Sequence, residues 1–174
     1  LAVGATNGRL DIYENVGSAR HPAFLLWYAN VDVNIGMWST PAFGDLDSDG
    51  DLDLVIGSGV GKLVFVRNYG TPFDPNFQLV PEEQSPFANY SFGLRTAPAL
   101  ADLNGDALLD LVLGRDEGDL ASFYNTGSAT EPAFRNHAAG GDPVAHVIVS
   151  SHSKPSFLDL EGDGDLDLAV GDNE

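Results

Sequence analysis

LVIGSGVGKLVFVRNYGTPFDPNF, residues 54–77, decides how the rest of the chain is read, because it occurs three times. LAVGATNGRLDIYENVGSARHPAF, from Leu1, and LVLGRDEGDLASFYNTGSATEPAF, from Leu111, match it over 24 positions without a gap. The landmarks move together by 53 and then by 57 residues: Gly4, Gly57 and Gly114 align, as do Gly8, Gly61 and Gly118, Asn15, Asn68 and Asn125, and Phe24, Phe77 and Phe134. A fourth copy opens at Leu168 as LAVGDNE. Ahead of the later copies runs a second shared element: PAFGDLDSDGDLD from Pro41, PALADLNGDALLD from Pro98 and PSFLDLEGDGDLD from Pro155, again 57 residues apart. The length varies only between the Phe and the next Asp, 21 residues from Phe24 to Asp45 but 25 from Phe77 to Asp102, so a surface loop lies there. Self-similarity at this period marks a repeat architecture.

Within a repeat the pattern is β throughout. Short runs rich in Val, Ile, Leu and Phe are bounded by Gly, Asn and Pro, and no stretch sustains a 3.6-residue period. Strands are predicted at 39–43, 53–56, 62–67 and 76–80, with equivalents at 96–101, 110–113, 119–124 and 133–136. Gly57 and Gly61 frame the hairpin between the second and third strands, where positive φ is cheap for glycine. Four antiparallel strands per unit form a small twisted sheet that cannot bury both faces unless its neighbours stack against it, which is the arrangement of a propeller blade. The expected fold is therefore all-β, a single β-propeller segment over 1–174 with repeats at about 1–38, 39–95, 96–152 and 153–174. Two of these are complete blades and two partial, too few to close a ring of the usual size. A chain that opens at Leu1 with no Met is expected to be a portion of a longer product or a processed one.

Composition narrows the function. With 26 acidic residues against 8 basic ones, the net charge of −18 repels nucleic acid and anionic lipid, and a cationic partner is expected instead. Uncharged apolar stretches are far shorter than the roughly 18–20 residues of a membrane span, so no membrane insertion is expected. The absence of cysteine excludes disulfides and thiolate metal sites.

The acid is gathered. Thirteen of the 26 acidic residues fall in three windows of nine, 45–53, 102–110 and 159–167. In the first, Asp45, Asp47, Asp49 and Asp53 hold positions 1, 3, 5 and 9, Gly50 sits at 6, and Asp51 at 7 can add a backbone carbonyl. Alternate side chains of a tight loop point inward together, so this is an all-oxygen cage suited to a hard cation of the calcium type and poorly to zinc or copper. Without a cation the carboxylates repel one another or take up protons. An EF-hand would need Glu at position 12, where Ile56, Leu113 and Val170 stand, and a nonapeptide β-helix would repeat every nine residues.

With these loops in register with the repeat, the chain resembles the FG-GAP or VCBS repeat family, the blades of integrin α-subunit propellers and of many secreted microbial and algal proteins. In that family the loop between the innermost strand and the second binds calcium through side chains at 1, 3, 5 and 9 and a carbonyl at 7. The resemblance implies up to three calcium ions. Their ligands would be Asp45, Asp47, Asp49, Asp51 and Asp53, then Asp102, Asn104, Asp106, Leu108 and Asp110, then Asp159, Glu161, Asp163, Asp165 and Asp167. Two departures stand out: Ala107 replaces Gly at position 6, which weakens the second loop, and Glu161 is longer than the usual Asp or Asn. The loops rank first, third, second.

No catalytic residue is assigned. His21, His137, His146 and His152 fall at different places in the sequence pattern without ligand-like spacing, and Ser150, Ser151 and Ser153 lack a nucleophile elbow. Trp27, Tyr28 and Trp38 are read as fillers between blades, with stacking on sugars as the alternative. Asn89-Tyr90-Ser91 is a candidate glycosylation sequon in the connection 81–95. Such calcium loops saturate where calcium is abundant, so the expectation is an extracellular or cell-surface, non-catalytic scaffold for binding or adhesion. Its partner would be a protein or glycan ligand, or neighbouring blades or subunits. The alternatives are the propeller portion of a secreted polysaccharide lyase or lectin, and a subunit of a self-assembling filament.

Overall fold

Leu54, Val55 and Ile56 are apolar at consecutive positions, which a strand tolerates only when both of its faces are covered. In the computed structural model, which describes residues 1–28, 35–88, 90–137 and 141–173, all three are fully buried. They lie at the centre of a four-stranded antiparallel sheet, β4 (Thr40–Gly44), β5 (Asp53–Gly57), β6 (Leu63–Asn68) and β7 (Phe77–Leu79), arranged in chain order. A second sheet of the same plan is built from β8 (Ala97–Ala101), β9 (Asp110–Gly114), β10 (Leu120–Asn125) and β11 (Phe134–Asn136). Before them come three strands, β1 (Ala2–Gly4), β2 (Leu10–Asn15) and β3 (Phe24–Tyr28), and after them two, β12 (Lys154–Leu158) and β13 (Asp167–Gly171). The eight strands expected for the two complete repeats are present, each end within one residue. Among the described residues a single 3-10 turn, Glu82–Gln84, is the helical content.

The sheets stack in chain order through alternating side chains. Leu54 and Ile56 face the first sheet, packing with Leu10, Ile12 and Ile35, while Val55 faces the other way, toward Leu111, Leu113 and Phe123. One repeat on, Leu111 and Leu113 look back and Val112 looks forward to Leu168 and Val170. This period of two explains the unbroken apolar run, and each such residue contributes about 1.5–3 kcal/mol by leaving water. The connection 81–95 is not bare loop: Phe87 stacks on Phe134 at 5.0 Å, and Tyr90 and Phe92 meet Phe123 edge to face. Asn89, the sequon residue, lies outside the described residues. Among the described residues the sheets form no closed ring; β1 lies against β4, β4 against β8 and β8 against β12.

Two features recur at the first strand of each later sheet, and the second of them links successive sheets. Pro41, Pro98 and Pro155 pair in the same register with Ile56, Leu113 and Val170 on strands that have one sheet neighbour each, where a missing N–H costs no ladder bond. Just before each of these strands stands a buried hydroxyl. Ser39 Oγ accepts from Ala5 N at 2.8 Å and donates to Arg9 O at 2.7 Å; Thr96 Oγ1 accepts from Ser58 N at 3.1 Å; Ser153 Oγ accepts from Arg115 N at 2.8 Å and donates to Asp119 O at 2.7 Å. The hydroxyl thereby satisfies the hairpin of the preceding repeat. Gly57 is needed for this approach and not for positive φ: a Cβ there would lie 2.1 Å from Thr96 O, and at Gly4 and Gly114 the same clash arises with Ser39 and Ser153. Gly61, by contrast, does have the left-handed conformation, with φ 81°.

Candidate metal centre

The carboxylate loops join the first strand of a sheet to the second. Gly44 pairs with Asp53 at the base of the first, so residues 45–52 must turn back within one tight curl. The curl takes left-handed backbone at positions 4 and 6: Ser48 and Gly50 (φ 56° and 94°), Gly105 and Ala107 (78° and 67°), Gly162 and Gly164 (78° and 95°). That geometry aims successive N–H groups inward, and the acidic side chains accept them in the same way three times over. The carboxylate at position 1 takes the N–H groups at 5 and 6: Asp45 from Asp49 and Gly50 at 3.2 and 3.1 Å, Asp102 from Asp106 and Ala107 at 3.2 and 2.8 Å, Asp159 from Asp163 and Gly164 at 3.2 and 3.1 Å. The carboxylate at position 5 takes the N–H at 7, from Asp51 to Asp49, Leu108 to Asp106 and Asp165 to Asp163.

Position 9 is a tie. Asp53, Asp110 and Asp167 each accept the N–H at position 2, from Leu46, Leu103 and Leu160 at 3.2, 2.9 and 3.0 Å. The other oxygen of Asp53 takes Asn68 N at 2.8 Å, and that of Asp110 takes Asn125 N at 2.7 Å, linking the loop to the end of the third strand. Both aspartates are fully buried, and burial pushes both upward, Asp53 to about 7, although these N–H groups pull the other way.

The first loop gathers charge most closely. Ligand oxygens of Asp45, Asp47 and Asp49 lie within 4.8 Å of one another, the one such group of three among the described residues. Asp47 is 1% exposed and Asp51 5%. Oδ1 of each is buried with no hydrogen-bond partner. The other oxygen of Asp47, also buried, faces the guanidinium of Arg67 as an ion pair without the alignment of a hydrogen bond, and Asp49 lies 4.0 Å from the same nitrogen. Burial pushes Asp47 above the ordinary carboxylate range, with Arg67 opposing and Asp49 adding to the rise; burial and the neighbouring acids do the same to Asp51. Arg67 was not visible as part of this cluster in the sequence, although one signal was there: Glu14 and Tyr124 occupy its place in the other copies.

The other loops share the scaffold but gather their charge less closely. In the second, Asn104 Nδ2 donates to Asp106 at 2.9 Å, and N–H groups of Ala107, Gly105, Asn104 and Asp106 outweigh burial and draw Asp102 below its usual value. Leu108, at position 7, is half-buried. In the third, Asp159, Glu161, Asp163 and Asp165 are exposed and Asp167 is half-buried.

Orphaned, buried carboxylate oxygens are costly unless something positive meets them. The donors in the first loop are all oxygens on a short arc, with no His or Cys, which fits a hard cation. Asp45, Asp47 and Asp49 are the side chains placed to hold it, with Asp51 beside them. The family model of the FG-GAP-like repeat matches residues 45–113 and again 102–170. Each match therefore opens at position 1 of one carboxylate loop and runs into the second strand of the next sheet. No curated protein and no solved structure matches the chain.

Proposed function

Since the chain belongs to the FG-GAP-like repeat family, we propose that it is a calcium-stabilised segment of an extracellular β-propeller that serves as a binding, adhesion or structural scaffold and performs no catalysis. The observation that carries the proposal is the pair of buried, partnerless oxygens on Asp47 and Asp51 beside the clustered carboxylates of the first loop. A calcium ion there supplies charge that the loop lacks. Asp45, Asp47 and Asp49 present side-chain oxygens to it with Asp51 beside them, while the backbone bonds of Asp45 and Asp49 keep the loop curled and Asp53 ties it to β6.

The radial arrangement is supported by the stacking of β4, β8 and β12 along one side of the sheets. The extracellular location is supported by the family and by calcium loops of the weak type, which fill at about 10⁻⁴–10⁻³ M. Among the described residues no helix is long and apolar enough to cross a membrane. A ligand that binds only the folded state raises the melting temperature with its concentration. The midpoint is therefore expected to climb as free calcium rises from chelated levels to several millimolar, with magnesium much less effective; an unchanged midpoint would remove calcium from the proposal.

A further inference from the structure

Trp38, Arg95 and His152 occupy one position of the repeat, 57 residues apart, at the opposite end of the first strands from the carboxylate loops. Each has left-handed backbone, with φ 57°, 51° and 51°. The conformation directs two successive N–H groups onto the preceding repeat: Trp38 and Ser39 to Thr6 and Ala5 at 3.0 and 3.2 Å, Arg95 and Thr96 to Gly59 and Ser58 at 3.3 and 3.1 Å, His152 and Ser153 to Asp116 and Arg115 at 3.0 and 3.1 Å. Glycine would achieve this without steric penalty. Large side chains stand there instead, and all three line one cavity of 340 Å³, together with Thr6, Thr40 and Lys154.

The lining contains Arg95 and Lys154 and no Asp or Glu, in a chain with 26 acidic residues and 8 Lys and Arg. Trp38 is wedged: a Cβ on Gly59 would sit 2.4 Å from its ring, and the Arg95 guanidinium carbon lies 4.4 Å from the ring centroid. Arg95 Nε faces Asp116 at 3.5 Å, and His152 Nε2 faces the same carboxylate at 2.9 Å. Asp116 thus orients Arg95 and His152 together. Arg95 meets Asp116 through Nε and Lys154 is exposed, so a guanidinium and an ammonium stand at the cavity for an anion.

We propose that this cavity binds the carboxylate-bearing ring of a uronate sugar, with Arg95 and Lys154 on the carboxylate, the Thr6 hydroxyl on the ring, and Thr40 Oγ1, which donates to Thr96 O at 2.7 Å, as an acceptor for a ring hydroxyl. The volume lies within the span of small-molecule sites, and the neutral hydroxyls in the lining suit a ligand with hydroxyls of its own, which an Asp or Glu side chain lacks. The net charge of −18 disfavours a polyanion and leaves a singly charged unit as the better fit. The proposal rests on the chain being a binding scaffold but is independent of the calcium loops.

The test is a titration of the full chain at fixed, saturating calcium with D-glucuronate, D-glucose, acetate and a glutamate-rich peptide, followed through the Trp38 indole N–H resonance. Glucuronate is expected to give a saturable shift, at least ten times tighter than glucose or acetate. Arg95→Gln is expected to weaken it at least tenfold and the exposed Lys154→Gln severalfold, with the exposed Glu131→Gln, on the turn between β10 and β11, as an unaffected control. Lys154→Gln serves alone if Arg95→Gln fails to fold. No saturable shift, an equal response to glucose or acetate, or binding of the peptide in place of glucuronate would overturn the assignment. A calcium-dependent melting shift that persists alongside such a failure would leave the scaffold reading standing.

Discussion

The loops at 45–53 and 102–110 share one backbone curl, one hydrogen-bond scheme and a buried Asp at position 9 that burial pushes upward, yet they hold the charge of the earlier positions differently. In the first, burial and crowding push Asp47, Asp51 and Asp53 toward protonation and leave oxygens without partners. In the second, Asn104 replaces an acid and bonds Asp106, and Asp102 is held ionised by backbone N–H groups. The scaffold is thus separate from the demand for a cation: hydrogen bonds from the chain to itself make the curl, and the acids left over decide how strongly it needs a metal.

The largest effect expected from this contrast is on calcium affinity. Asp47→Asn removes a buried carboxylate from the first loop and should weaken its site by about 100-fold, ~2.7 kcal/mol. Asn104→Asp in the second should tighten that site, though by less, because its oxygens are more exposed. Calorimetric titration of each variant measures both, and equal losses from Asp47→Asn and Asp106→Asn would erase the distinction between the loops.

The next effect is on pH dependence without metal. Asp53 rises from 3.8 to about 7 in the folded chain, so between those values the folded state holds a proton that the unfolded state has released. Stability in chelator should therefore fall as pH climbs from about 4 to about 7 and level off above, because the unfolded state binds fewer protons across that window. Saturating calcium should flatten the fall. Urea denaturation across this range measures the slope, and a rise in stability with pH in chelator would contradict the burial of these acids.

The smallest effect is on strain. Ala107 has φ 67°, at the position where the first and third loops have glycine. Ala107→Gly should stabilise the chain by about 0.5–1 kcal/mol, and Gly50→Ala should destabilise it by a similar amount, since nothing lies within 4 Å of a Cβ added at Gly50 and the backbone conformation is what is at issue there. Thermal melting in chelator measures both.

The repeat, the strand boundaries and the three curls were legible because each is local: a period of two, a Gly at a turn, acids on alternate positions. Loop 102–110 could be ranked below loop 45–53 from Ala107 alone. What could not be read depends on contacts across repeats. Gly57 was assigned to a turn, but its constraint comes from Thr96 O, 39 positions away in the chain. Ser39, Thr96 and Ser153 recur at the repeat spacing, a visible signal, but their role as acceptors for the preceding hairpin appears only once the sheets are stacked. Arg67 reaches Asp47 because β6 runs beside the loop, a matter of register and not of spacing.

Arg67 supplies the most direct test. A crystal structure of the chain grown at millimolar calcium should show an ion within about 2.3–2.6 Å of oxygens from Asp45, Asp47 and Asp49, with the Arg67 guanidinium withdrawn from Asp47. Arg67 still paired with Asp47, and no ion among the three carboxylates, would contradict the assignment of the first loop as a calcium site.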